Sequence, residues 1–204
     1  LGPKGDVIRD YFLRHQARSV SLTIGDFNES NVLVHDGDIG EDWTVTLVDT
    51  GRRSQTGERL KRVRNFVGDR TFLMTYGDGL ADVDLTASVE FHRSHRGFAT
   101  LTSVHPKTRF GLVSADLDGK VGEFSENPIV KEWVNGGHFV LEPQVFNYLV
   151  KDEAWEQGPM RNLMQEGLLY SFPHEGFWQP IDTQRELSAV NEMWESGKAP
   201  WRVW

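Results

Sequence analysis

The stretch LMTYGDGLADVDL, residues 73–85, sets a short apolar run against a carboxylate held between two glycines. TFLMTY, just before it, reads as a strand covered on both faces. In open α/β sheets, ligands collect beyond the carboxyl ends of the strands, so Asp78 is expected at such an edge. Glycines on either side let a ligand come close to the backbone. An exposed carboxylate there suits Mg²⁺, which in turn holds phosphates. The same three residues also suit a plain tight turn, and local sequence does not separate the two readings.

Working outward, the surroundings fit an α/β protein. WTVTLVDTG (43–51) alternates and is rich in β-branched residues, which predicts a strand ending at Gly51. TGERLKRVRNFVGD then places Leu60, Val63, Phe66 and Val67 on one helical face, with Ser54 or Thr56 as its cap. DLTASVEFHRSHRG reads as a capped helix ending at Gly97, and FATLTSVHP as a strand. FGLVSADLDGKVGEFSENP reads as a hairpin turning at Asp118-Gly119. GGHFVLEP is a strand, PQVFNYLV a helix with Pro143 in its first turn, and TQRELSAVNEMWESG a helix opened by a Thr183-x-x-Glu186 capping box. GDVIRDYFLRH predicts an opening helix with Val7, Ile8, Tyr11 and Phe12 on one side. Residues 19–41 read as an irregular excursion or hairpin. Helices alternating with strands argue for a mostly parallel sheet, to which the 111–124 hairpin adds an antiparallel element.

Composition narrows the function. The 204 residues contain no cysteine, which removes disulfides, thiolate metal sites and cysteine nucleophiles, and fits a cytoplasmic setting. No apolar run is long enough for a membrane span. A net charge of −8 argues against a nucleic-acid binder. Against that average, Arg52, Arg53, Arg59, Lys61, Arg62 and Arg64 form a local basic cluster suited to a small anion.

A second carboxylate, Asp182 in GFWQPIDT, stands where an aromatic-rich turn meets a helix start. It reads either as a cap, in competition with Thr183, or as the partner of Asp78 in a two-carboxylate Mg²⁺ site. His92-x-x-His95 has helical spacing for a metal pair but lacks a third ligand nearby, so a solvated helix face is the expectation. His138 is expected to pack. Trp194, Trp201 and Trp204 are expected to pack the tail or a subunit contact.

From KGDVIRDYF to GKAPWRVW the chain resembles the sugar-1-phosphate nucleotidyltransferases, and within them the cytidylyltransferases. The resemblance is carried by the order and spacing of WTVTLVDTG, TGERLKRV, TYGDGLADVD, FHRSHRGFATLT, RFG, NGGHFVLEP, EGFWQPIDT and WESGKAPW. It implies a Rossmann-like, three-layer α/β fold with a mixed, mostly parallel sheet, in one domain over residues 1–204. It implies Asp78 and Asp182 as Mg²⁺ ligands, with Arg59 also catalytic. Ser54, Thr56, Gly57, Arg59 and Gly77 would lie at the nucleotide, and Glu126, Asn135, Gly136, Trp178 and Gln179 at the sugar phosphate.

The implied substrates are CTP and glucose 1-phosphate, the implied products CDP-glucose and pyrophosphate, and a homo-oligomer without nucleic-acid or membrane partners is expected. Another nucleotide and hexose phosphate pair is the alternative substrate reading. Two departures qualify the match. The family's N-terminal strand and glycine-rich loop are not in this chain, which leaves a truncated or inactive relative that binds sugar phosphate or a partner as the alternative. Asn127 stands where the family has Lys, with Lys131 as a candidate replacement.

Overall fold

The computed structural model describes residues 1–24, 32–37 and 44–203, with side chains for 1–15 and 44–203. The chain forms two compact units: Leu1–Gly68 with Leu149–Gln157, and Asp69–Tyr148 with Gly158–Trp204.

The first unit begins with helix α1 (Gly5–Ser19), followed by the antiparallel pair β1 (Val20–Ile24) and β2 (Val32–Gly37). The hairpin reading of 19–41 is thus met in its paired residues; the segments between and after them lie outside the described residues. The expected apolar side of α1 is not a buried one, since Val7, Ile8 and Tyr11 are exposed. Residues 44–50, predicted as a strand, do not form one. Alternation prepares a segment for a sheet, but a ladder also needs a partner strand, and here the backbone bonds go to the single residue Leu1, whose amino group donates to the Val48 carbonyl and whose carbonyl accepts the Thr50 N–H at 3.2 Å.

Helix α2 (Thr56–Arg62) follows, then a single turn α3 (Arg64–Val67). Of the predicted apolar face, Leu60 is buried, but Phe66 is exposed because the helix breaks at Val63 and the face does not continue. The N-cap is Gln55, which makes no side-chain cap bond, rather than Ser54 or Thr56. The Thr56 hydroxyl is engaged elsewhere: it accepts the Trp155 N–H at 2.8 Å and donates to Glu156 at 3.1 Å. The Gly57 N–H donates to the Glu153 carbonyl at 3.1 Å, and a Cβ on Gly57 would lie 2.6 Å from that oxygen. Gly57 is therefore required for this close approach of two backbones.

The second unit is built on a four-stranded sheet in the order β3 (Phe72–Thr75), β8 (Val134–Leu141), β5 (Ala99–Val104), β9 (Leu169–His174). The mixed α/β class is as expected, but the sheet is less parallel than the alternation suggested. The β5–β9 pairing is parallel, while β8 runs antiparallel to both β3 and β5. Ala99, Thr100, Phe139, Val140 and Leu141 are all nearly or fully buried, so the two central strands carry the core on both faces. β3 lies at the end of the sheet and is only half covered, with Leu73 exposed, unlike the two-faced burial predicted for it.

Two small antiparallel ribbons complete the strands: β4 (Gly79–Ala81) with β10 (Trp178–Pro180), and β6 (Leu112–Ala115) with β7 (Val121–Ser125). The latter turns at Asp118-Gly119 as predicted, with Gly119 at φ +84°.

Helix α4 (Leu85–Arg93) is capped by Asp84, whose carboxylate accepts the Ala87 N–H at 2.9 Å, and ends before Gly97 at Ser94. Pro143–Tyr148 is a 3-10 helix, with Phe146 stacked on Phe72 at 5.7 Å. Helices α5 (Gly158–Gln165) and α6 (Gln184–Glu195) follow, and α6 opens with the predicted Thr183/Glu186 capping box. Among the described residues no helix is long and apolar enough to cross a membrane.

Candidate active site

The β4–β10 ribbon brings residues 78 and 182 together. Gly79 pairs with Pro180, and the Ile181 N–H donates to the Asp78 carbonyl at 2.7 Å. Asp78, which accepts that bond, and Asp182, one residue past its donor, line the same small pocket, of about 60 Å³, with Tyr76, Asn135, Gly136 and Trp178. Neither glycine beside Asp78 is forced by a positive φ. A Cβ at Gly77 would meet nothing within 4 Å, so the space beside that backbone is open.

The opposite wall is a bulge. β8 pairs Phe139 with Leu101 and Asn135 with Ser103, so three β8 residues oppose Thr102 alone. Asn-Gly-Gly fits this kink. Gly137 sits at φ +78°, and a Cβ on Gly136 would lie 2.9 Å from Val104 and 3.0 Å from the Thr102 carbonyl. The Asn135 side-chain oxygen accepts the Gly137 N–H at 2.9 Å, and the Gly137 carbonyl accepts the Tyr76 N–H at 2.9 Å. Trp178 donates its indole N–H to the Gly136 carbonyl at 2.9 Å. The bulge, Tyr76 and the indole thus form one hydrogen-bonded frame beside the two carboxylates.

Asp182 is partnered. Arg109 Nη2 lies 2.5 Å from its Oδ2 and 3.1 Å from Glu186 Oε1. Glu186 Oε2 also accepts the N–H groups of Asp182 and Thr183, each at 2.9 Å. The bond to Asp182, followed by the charge of Glu186, raises the Arg109 pKa. Desolvation pushes Glu186 upward, but the N–H of Asp182, the Thr183 hydroxyl and N–H, and Arg109 outweigh it and hold the carboxyl below its usual range.

Two hard carboxylate oxygens at one open pocket suit Mg²⁺, with water or phosphate completing its shell. Among the described residues no cluster of three or more acidic or histidine side chains could hold a metal on its own.

The other expected residues are distributed differently. Gln179 does not line this pocket; its amide donates to the Pro180 carbonyl at 2.9 Å. Glu126 is exposed at the end of β7, also outside the pocket, and accepts from Asn127, which has φ +49°. Ser54, Thr56, Gly57 and Arg59 belong to the first unit, where Arg59 donates to the buried Thr50 hydroxyl at 2.9 Å. Tyr76, Gly137 and Arg109 were missed as site residues. The RFG motif pointed at Arg109, and the capping box pointed at Glu186 for a different role.

His92 is not on a solvated face: it is buried, with Nδ1 2.8 Å from the Thr100 hydroxyl and Nε2 3.1 Å from Glu142. Gly97 donates its N–H to His95 Nδ1, so His95 Nε2 carries the proton and donates to Thr100. Thr100 then donates to His92, and His92 to Glu142, a one-way chain that occupies both rings. Burial first, then neighbouring His92, lowers the His95 pKa. His138 donates to the Gly136 carbonyl at 3.1 Å; burial lowers its pKa against the raising effect of that bond. Trp201 packs against Phe177, Arg202 lies over Trp194, and Trp204 is outside the described residues.

The chain belongs to the nucleotidyl transferase family, an enzyme family whose sequence model matches residues 15–193. It is 45% identical to the glucose-1-phosphate cytidylyltransferases of Salmonella typhi and Salmonella typhimurium over all of this chain and 79% of each relative. In fold it is similar to the crystal structure of a proposed glucose-1-phosphate thymidylyltransferase from Bacillus anthracis. That match has a TM-score of 0.51 and 20% identity, and covers 71% of this chain and 64% of the other. The chain therefore spans just under two thirds of that structure's length.

Proposed function

We propose that the protein containing this chain transfers the cytidylyl group of CTP to glucose 1-phosphate, giving CDP-glucose and pyrophosphate. The observation that carries the reading is the meeting of Asp78 and Asp182 at one pocket walled by the Asn135–Gly137 bulge and Trp178. The 45% identity to cytidylyltransferases favours this substrate pair over another nucleotide and hexose phosphate.

A phosphate oxygen of the sugar attacks the α-phosphorus in line; one P–O bond forms, the bond to the departing pyrophosphate breaks, and no enzyme intermediate is needed. Asp78 and Asp182 would hold Mg²⁺, which supplies positive charge to the reacting phosphates. Asn135 and Trp178 shape the sugar side, and the Gly136–Trp178 bond keeps the bulge in place. Arg59, on α2, is assigned to the nucleotide phosphates. Catalysis on this reading is alignment and charge neutralisation.

A cytoplasmic homo-oligomer fits the reading. The exposed Leu112, Val113, Val121 and Phe124 of the β6–β7 ribbon are the kind of apolar surface that subunits cover. The test is Asp78→Asn and Asp182→Asn in the full protein, followed by pyrophosphate release from CTP and glucose 1-phosphate with Mg²⁺. Each variant is expected to lose turnover while keeping its unfolding midpoint near wild type, since both side chains are exposed. Near-normal release by either rejects the assignment.

A further inference from the structure

We propose that Arg109 is a latch on Asp182, which a divalent cation has to release before it can bind both carboxylates. The inference rests on the reading of Asp78 and Asp182 as cation ligands. The two are not equivalent. Asp182 Oδ2 is held by Arg109 at 2.5 Å, whereas among the described residues Asp78 has no ion pair.

The latch has a second anchor that stays in place when Asp182 is taken. Glu186 binds Arg109 through Oε1, while its Oε2 is fixed by the N–H groups at the start of α6. Arg109 is half exposed, so its guanidinium can swing off Asp182 and keep Glu186. A cation entering the pocket therefore meets Asp78 first and competes with the tethered guanidinium of Arg109 for Asp182. Arg109 is a positioning residue on this account: it holds the Asp182 carboxylate and sets the concentration at which the cation takes it.

Mn²⁺ is the probe, titrated into the full protein without nucleotide and read by electron paramagnetic resonance of the free ion. Arg109→Gln removes the charge and is expected to tighten Mn²⁺ binding about two- to fivefold, the scale of an exposed ion pair. Arg109→Lys restores a cation and is expected to return the affinity toward wild type, an outcome a merely structural role would not give. Because the pair is exposed, the difference between wild type and Arg109→Gln should narrow as KCl is raised.

Asp78→Asn and Asp182→Asn separate the two readings. If neither weakens Mn²⁺ binding, the cation site is wrong and the latch falls with it. If both weaken it but Arg109→Gln leaves the affinity unchanged or lower, the latch alone is refuted.

Discussion

Replacing Gly137 by Ala tests the frame beside the carboxylates at its tightest point. Gly137 has φ +78°, and an added Cβ would lie 3.0 Å from Tyr76 Cδ2 and 3.3 Å from Cγ. An L-residue in the left-handed region costs about 1–2 kcal/mol. Pressing on the ring of Tyr76, whose backbone N–H bonds to the Gly137 carbonyl, adds roughly 1 kcal/mol or more. Alanine stiffens the unfolded chain, which returns about 0.4–1 kcal/mol. The net expectation is a loss of about 1–3 kcal/mol, read as a lowered urea midpoint by tryptophan fluorescence.

Two controls divide the cost. Gly167 has φ +71° with nothing within 4 Å of its Cβ, so Gly167→Ala reports the backbone part alone. Placing Gly137→Ala in a Tyr76→Ala background removes the ring and should recover the steric part. If Gly137→Ala costs no more than Gly167→Ala, or if the Tyr76→Ala background recovers nothing, the account of the bulge is wrong. On the proposed function, glucose 1-phosphate affinity should fall with the same substitution, because Asn135 is held by the Gly137 N–H.

Acidification should destabilise the second unit. The folded-state pKa values of His95 and His138 lie below the ordinary value of 6.5, so the unfolded chain binds protons more readily. Their contribution is complete above about pH 6.5 and is lost as pH falls toward the folded values. The urea midpoint should drop between pH 7.5 and 5.5, and by less in His95→Gln; a flat or rising midpoint would contradict the buried chain of hydrogen bonds. Arg59→Ala should weaken CTP binding about ten- to a hundredfold, roughly 1.5–3 kcal/mol by calorimetry, with glucose 1-phosphate much less affected. Equal losses for both ligands would argue that Arg59 serves only to hold the buried Thr50 hydroxyl.

What could be read from sequence was mostly what is local. The Thr183/Glu186 box and the Asp118-Gly119 turn are each determined by residues a few positions apart, and each appears where expected; the kink at Asn135–Gly137 falls in a segment read as a plain strand. Long-range partners were less legible. WTVTLVDTG alternates as a strand should, yet pattern specifies a face and not a partner. His92 has the composition of a surface position, but Thr100 and Glu142 supply bonds that let it be buried. The pairing of Asp78 with Asp182 was one of two readings of the residues, favoured by resemblance; the β4–β10 ribbon supplies the physical reason they meet. Arg109 was marked by the RFG motif but given no role, because an ion pair across the fold leaves no periodic or spacing signal around either partner.

That ribbon has a further consequence. The two carboxylates meet through three residue pairs and one following backbone bond, contributed by strands from distant parts of the chain. In the unfolded chain they are two separate aspartates, so a cation that needs both binds only the folded form and stabilises it by mass action. Cation concentration would then act as a denaturation variable. A nick between the strands would leave the affinity intact as long as the fragments stay associated, and would end it once they separate. Thermal unfolding of cut protein, followed with and without Mn²⁺, would therefore report on the closure of this ribbon as directly as on the ion itself.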